Sequence, residues 1–164
     1  MAKKSIELNN LTDKFEIINE DIKKIDKIFE PNSFDAIVTN PPYKKCNTGL
    51  MNKDETQLIS RHEVMCNLDD IIKAASKLLN SNCSLYMVHR PDRIVDIIET
   101  LRKYKIEPKK MRLVYPKIGK EPNLLLIKAT KGAKEFIKIE KPLIVYNEDG
   151  TYTEEILKIY NKKS

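Results

Sequence analysis

Glycine is scarce in this chain. Gly49, Gly119, Gly132 and Gly150 are its four glycines in 164 residues, and no two of them form a G-x-G turn, so no segment reads as a glycine-rich ligand loop. Cysteine is equally thin. Cys46, Cys66 and Cys83 are odd in number, far apart and never in a C-x-x-C pair, which points to neither a disulfide framework nor a zinc site. His62 and His89 add no metal-ligand spacing, so no metal is expected. Cys46 reads either as a free thiol on a loop or as a neighbour of the pocket described below. No apolar run approaches the roughly 20 residues that span a bilayer, and the lysine-rich start lacks an apolar stretch behind it. The expected location is the cytoplasm, with no membrane partner.

What is present suits one domain with a real core. The apolar fraction is 41% and the charged fraction 33%, ordinary for a soluble protein, and the length suggests a single domain over 1–164. A net charge of +6 fits a polyanionic partner, since phosphate contacts supply most non-specific nucleic-acid affinity. Acids are interleaved with the lysines, however. Two basic clusters stand out, Arg102, Lys103, Lys105, Lys109, Lys110 and Arg112, then Lys128, Lys131 and Lys134; each reads as an RNA-contacting patch or as a solvated face.

The alternation of elements implies a mostly parallel α/β sheet. A helix is expected over Ala2 to Asn9, and strands over Phe15 to Asn19 and Phe34 to Thr39. A long polar loop follows from Lys44 to Arg61. Helical spacing then marks Asp69 to Leu79 and Ile94 to Tyr104, with a strand at Ser84 to Val88 between them. Met111 to Tyr115 and Leu124 to Ala129 have no helix between them and read as an antiparallel pair.

Asn40-Pro41-Pro42-Tyr43, directly after the apolar run Phe34 to Thr39, is the most informative feature. A buried strand ending there delivers an amide, two rigid carbonyls and an aromatic ring to one point. That set suits a planar amine, whose lone pair is delocalised until acceptors hold both protons. The Asn40 oxygen and the Pro41 carbonyl can accept them, while Tyr43 stacks on the ring; such a stack contributes about 1–3 kcal/mol. The plainer reading is a Pro-Pro turn that ends a strand, with Asn as a local cap.

The tetrapeptide resembles the [DNS]-P-P-[YFW] motif of S-adenosylmethionine-dependent amino-methyltransferases. Together with Arg61-His62-Glu63, His89-Arg90-Pro91, Gly119-Lys120-Glu121-Pro122-Asn123, Pro142 to Tyr146 and Gly150 to Thr153, it is similar to the bacterial adenine-N6 methyltransferases of valine tRNA, from about Ala2 to Tyr160. The resemblance implies a class I, Rossmann-like methyltransferase fold, S-adenosyl-L-methionine as cofactor and tRNA as partner. It implies that Asn40, Pro41, Pro42 and Tyr43 are catalytic, and that Asp21 and Asn40 bind the cofactor. It also implies that Arg61, His62, His89 and Arg90 meet substrate RNA. Asp21 reads equally as a helix cap for Ile22 to Ile28, Glu63 as a surface partner of Arg61, and His89 and Arg90 as a polar strand terminus.

The family's first two strands and glycine-rich loop have no counterpart here. The chain is therefore expected to be the carboxyl-terminal portion of a methyltransferase domain with an incomplete cofactor site. Its Phe34 to Thr39 strand should then expose an edge that pairs with Phe15 to Asn19 or with a second chain. The functional expectation is methyl transfer to the N6 amine of adenine in tRNA. Alternatives are a non-catalytic fragment that binds RNA or a partner, and a methyltransferase acting on DNA adenine or protein glutamine.

Overall fold

A computed structural model describes residues 2–42 and 67–160. Elements are numbered among these. Helix α1 (Ala2–Leu8) leads into irregular chain, and a 3-10 turn (Ile22–Lys27) precedes strand β1 (Phe34–Thr39). Helix α2 (Leu68–Leu78) runs without a loop into β2 (Leu79–His89). A 3-10 turn at Pro91–Arg93 opens α3 (Ile94–Lys103), followed by β3 (Ile106–Tyr115) and β4 (Leu124–Lys131). Two short strands, β5 (Lys138–Ile139) and β6 (Leu143–Ile144), and helix α4 (Glu154–Ile159) complete the order.

The sheet order is β1-β2-β4-β3-β5, with β6 also on β3. Strands β1 and β2 are parallel, β4 runs against both β2 and β3, and β5 and β6 run with β3. Every strand but β4 therefore points the same way. The fold is the expected mixed α/β sheet, mostly parallel with an antiparallel pair.

One sheet face carries the core. Leu85 and Met87 of β2, Leu125, Ile127 and Ala129 of β4, and Ile106 and Met111 of β3 pack against Ile72 and Ala75 of α2 and Ile97 and Leu101 of α3. These apolar positions recur at period two in the strands and at helical spacing in the helices, so each element buries one side. Helix α2 starts at a capping box, with Asn67 accepting from the Asp70 N–H at 2.8 Å and Asp70 accepting from the Asn67 N–H at 3.2 Å. Its last turn is satisfied by the chain entering β1, where the Asn32 and Ser33 N–H groups donate to the Lys77 and Leu78 carbonyls. Asp69 ties α2 to α3, accepting from Lys103 Nζ at 2.7 Å and from the Tyr104 hydroxyl at 2.6 Å; both donors hold its carboxyl below the usual range.

The opposite face is covered at one corner, where Val114, Leu143 and Ile156 of α4 cluster with Leu124, Leu126 and Val145. Across the rest of that face Val38, Tyr86, Lys128 and Lys110 stand in one row, each paired in register with the next. Val38 is 78% exposed.

Two expectations are corrected. Phe15 to Asn19 forms no strand and pairs with nothing in the sheet; it is irregular chain with Phe15, Ile17 and Ile18 exposed. Among the described residues β1 has no strand on its outer side. Strand β2 is also longer than expected. It continues back through Asn80-Ser81-Asn82-Cys83 by a bulge, since Phe34 pairs with Leu79 but Ala36 pairs with Ser84. Asn82 takes a positive φ of 64° there, a conformation that asparagine tolerates well, and Asn80 donates to Asp35 at 2.9 Å.

Candidate active site at the carboxyl end of the sheet

Thr39 pairs with Met87 in parallel register, which sets Asn40 and Pro41 beside the Val88 and His89 end of β2. His89 pairs in turn with Leu125 on β4. The sequence motif and the His89-Arg90 pair are thus brought to one rim, where the carboxyl ends of parallel strands meet. Ligands of open α/β sheets bind at such rims. Asn40 is exposed, Pro41 is buried and Pro42 is exposed. A buried proline directly after the strand fixes the backbone, because its ring locks φ and it has no N–H to satisfy.

His89 is 1% exposed. Its Nδ1 accepts the Arg90 N–H at 2.8 Å, so in the neutral ring the proton sits on Nε2. Burial, and then the nearby Arg93 charge, push its pKa below the ordinary histidine value. Through that hydrogen bond His89 holds the backbone where β2 ends, which is the strand-terminus reading of this residue. Arg90 remains exposed and pairs with Asp92 at 3.1 Å.

Asp21 opens the 3-10 turn that packs beside the first turn of α2. Its carboxylate caps the 3-10 turn, accepting from the Lys23 N–H at 3.0 Å, and that turn is held against α2 by Lys23–Asp70 and Lys77–Asp26 ion pairs. The capping reading is therefore realised, and one carboxylate oxygen does it. Tyr43, Arg61, His62, Glu63, Cys46 and Cys66 lie outside the described residues. Cys83 is half-buried beside Asp35.

The first basic cluster is largely spent inside the molecule. Arg102 pairs with Glu107 and Glu135, Lys103 with Asp69 and Lys110 with Glu140. Lys109 donates to the Lys134 and Glu135 carbonyls, and Arg112 to Lys141, Pro142 and Glu155. In the second cluster Lys131 Nζ donates to Asn32 and to the Leu79 carbonyl, both at 2.8 Å. The structure favours a solvated, internally paired face over a cationic track.

Three features escaped the sequence reading. One is a trough of about 300 Å³ on the open sheet face, lined by Val38, Tyr86, Arg112, Lys128 and Glu140 among others; it opens on the face of the motif strand. The second is the Lys131 clamp. The third is a stacked tyrosine pair, Tyr146 and Tyr152, with centroids 5.1 Å apart. Each depends on side chains from distant segments. Among the described residues no group of three His, Cys, Asp or Glu side chains could hold a metal ion, and no helix is long and apolar enough to cross a membrane.

No family model and no curated protein matches this chain. Solved structures do. A predicted O-methyltransferase from Agrobacterium tumefaciens superposes with a TM-score of 0.76 at 20% identity, over 98% of this chain and 70% of that one. The chain has a methyltransferase fold. Weaker likenesses include DNMT2 of Spodoptera frugiperda, with a TM-score of 0.49 at 14% identity over 91% of this chain and 46% of that one. M1.HpyAVI in complex with SAM gives 0.48 at 19% identity, over 79% of this chain and 65% of that one.

Proposed function

We propose that this chain carries the acceptor-binding part of an S-adenosyl-L-methionine-dependent methyltransferase that acts on the exocyclic N6 amine of adenine in tRNA. The observation that carries this reading is the seating of Asn40-Pro41-Pro42 at the carboxyl end of β1, with Pro41 buried and Asn40 exposed at the rim. The methyltransferase fold supports the cofactor, and the motif supports an amine over a hydroxyl acceptor. The choice of RNA rests on the resemblance of the motif set.

Asp21 and Asn40 are the residues of this chain that would hold the cofactor, which supplies the methyl group when bound. Asp21 keeps one carboxylate oxygen beyond its capping bond. The described residues offer no glycine-rich cradle: Gly119, Gly132 and Gly150 each sit in turns at positive φ. The chain's own contribution is to orient the amine. The Asn40 side-chain oxygen and the Pro41 carbonyl would accept its two hydrogens, so that the nitrogen lone pair is withdrawn from the ring's π-system, localises on nitrogen and can take the methyl group as the sulfonium leaves as a thioether. Tyr43 would stack on the base, offsetting the few kcal/mol that unstacking it costs. Near-attack placement of this kind is worth about 7–11 kcal/mol at its upper limit. No strong base is required, because the methylated amine is acidic enough to release its proton to water.

The test is methylation of unfractionated tRNA, duplex DNA and a release factor with radiolabelled cofactor, using wild type and Asn40→Ala. Label in tRNA adenine that disappears in Asn40→Ala, with an unchanged circular dichroism spectrum, supports the assignment. An active Asn40→Ala protein refutes it, and label in DNA or in glutamine moves the substrate.

A further inference from the structure

The segment from Pro142 to Thr153 is not used by the acceptor site, yet it ends at the same rim. Strand β6 runs parallel to β3, with Val114 facing Leu143 and Tyr115 facing Ile144. Beyond it, the Val145 and Tyr146 N–H groups donate to the Tyr115 and Pro116 carbonyls at 2.9 and 3.0 Å. Tyr146 and Tyr152 then form an isolated antiparallel bridge. Their rings stack at 5.1 Å with planes 20° apart.

This stack is rigidly held. Gly150, at φ 89°, closes the turn by donating to the Asn147 carbonyl at 3.1 Å. Asp149 accepts from the Thr151 N–H and hydroxyl at 2.9 and 2.7 Å. The Asn147 amide donates to Thr151 Oγ1 and the Tyr152 carbonyl, and Thr153 donates to the Ile144 carbonyl at 2.7 Å. Even so, Tyr152 is 41% exposed and Tyr160 66%. A rigid aromatic pair kept partly in solvent has already met its ordering cost and still has surface to bury.

The setting is not phosphate-like. Lys117 donates to the Glu148 carbonyl at 3.1 Å and Lys120 is exposed, but Glu148, Asp149 and Glu121 stand beside them. Hydrogen bonds from Thr151 keep the Asp149 carboxyl below its usual range, and so ionised. A partner met here would be contacted through a flat ring and not through a phosphate. From β1 to β6 along the order β1, β2, β4, β3, β6 there are four strand steps, which at roughly 4.8 Å each puts the pair about 19 Å from the Asn40 end.

We propose that the Tyr146–Tyr152 stack is a platform for a nucleobase of the RNA substrate, a few nucleotides from the adenine presented at Asn40. The inference rests on the nucleic-acid reading of the rim. Base-on-aromatic stacking tolerates any base and is worth about 1–3 kcal/mol per base.

The experiment is fluorescence anisotropy of an end-labelled RNA stem-loop with unpaired adenines, titrated with the full chain at low and at high salt. Tyr152→Ala, and Tyr152→Leu as a second ring-free variant, are expected to bind roughly 5- to 150-fold more weakly. The factor should be the same at both salts, because stacking is not screened as ion pairs are. Tyr152→Phe should bind like wild type. If wild type binds and the ring-free variants bind equally well, the platform is overturned while the acceptor-site reading stands. A Tyr152→Phe protein as weak as Tyr152→Ala would assign the effect to the hydroxyl and overturn stacking. A wild-type chain that binds no RNA would overturn the platform together with the nucleic-acid reading.

Discussion

His89 shows how one buried side chain couples the rim to pH. Its folded pKa lies below the ordinary value because burial penalises the imidazolium. In the unfolded chain the group titrates near 6.5, about the value of a free histidine. As pH falls through that value the unfolded chain gains a proton that the folded chain refuses, so the unfolded state binds more protons and stability drops. The loss levels off below the folded pKa. Urea midpoints measured between neutral pH and about pH 5 should therefore fall more steeply in wild type than in His89→Gln; parallel slopes would show that this histidine does not sense acid. The proposed roles of Asn40 and Pro41 are different, depending on geometry and not on titration. The junction of β1 with Asn40-Pro41-Pro42 was legible in the sequence because an apolar run stopped by two prolines marks a strand end within a few residues. The state of His89 was not, because neutrality comes from packing that joins β1, β2 and β4.

At the scale of elements, the helices behave as local rules require. Asn67 and Asp70 satisfy orphan N–H groups at the start of α2 reciprocally, which is the function of a capping box. Replacing Asn67 with alanine should cost about 1 kcal/mol, visible as a lower urea midpoint with an unchanged slope; no shift would mean that packing on the sheet alone holds the first turn. The expected spans of α1, α2, α3 and β1 agree with the observed ones to within a residue or two, since each carries a clear period and a recognisable start or stop. Phe15 to Asn19 misled because a short apolar run reads as a strand whether or not a partner exists. In the structure it has none. The bulged half of β2 was missed for the opposite reason: Asn80 to Cys83 is polar, and only pairing with β1 extends it.

For the whole molecule, the decisive feature is β1, an edge strand among the described residues. Its Val38 is 78% exposed on the open sheet face, beside Tyr86 at 40%. An open apolar edge invites pairing with another chain. Sedimentation velocity of this chain should show a weight-average coefficient that rises with concentration, and Val38→Lys should reduce the rise. A single sharp monomer boundary at every concentration would end that expectation. The same view explains the basic residues: a net charge of +6 looks like an RNA track in one dimension, whereas Arg102, Lys103, Lys110 and Arg112 find carboxylates once folded.

The strand-motif junction at Asn40, the helices flanking β2 and the antiparallel turn-back of β3 and β4 are readable from local pattern, because periodicity, caps and prolines act within a few residues of where they stand. Only the tertiary arrangement sets which charges pair within the chain, that His89 is buried with its pKa lowered, and that Tyr146 and Tyr152 stack at the same rim as Asn40. Each of those depends on which distant segments the sheet order places side by side, and no local pattern carries that information.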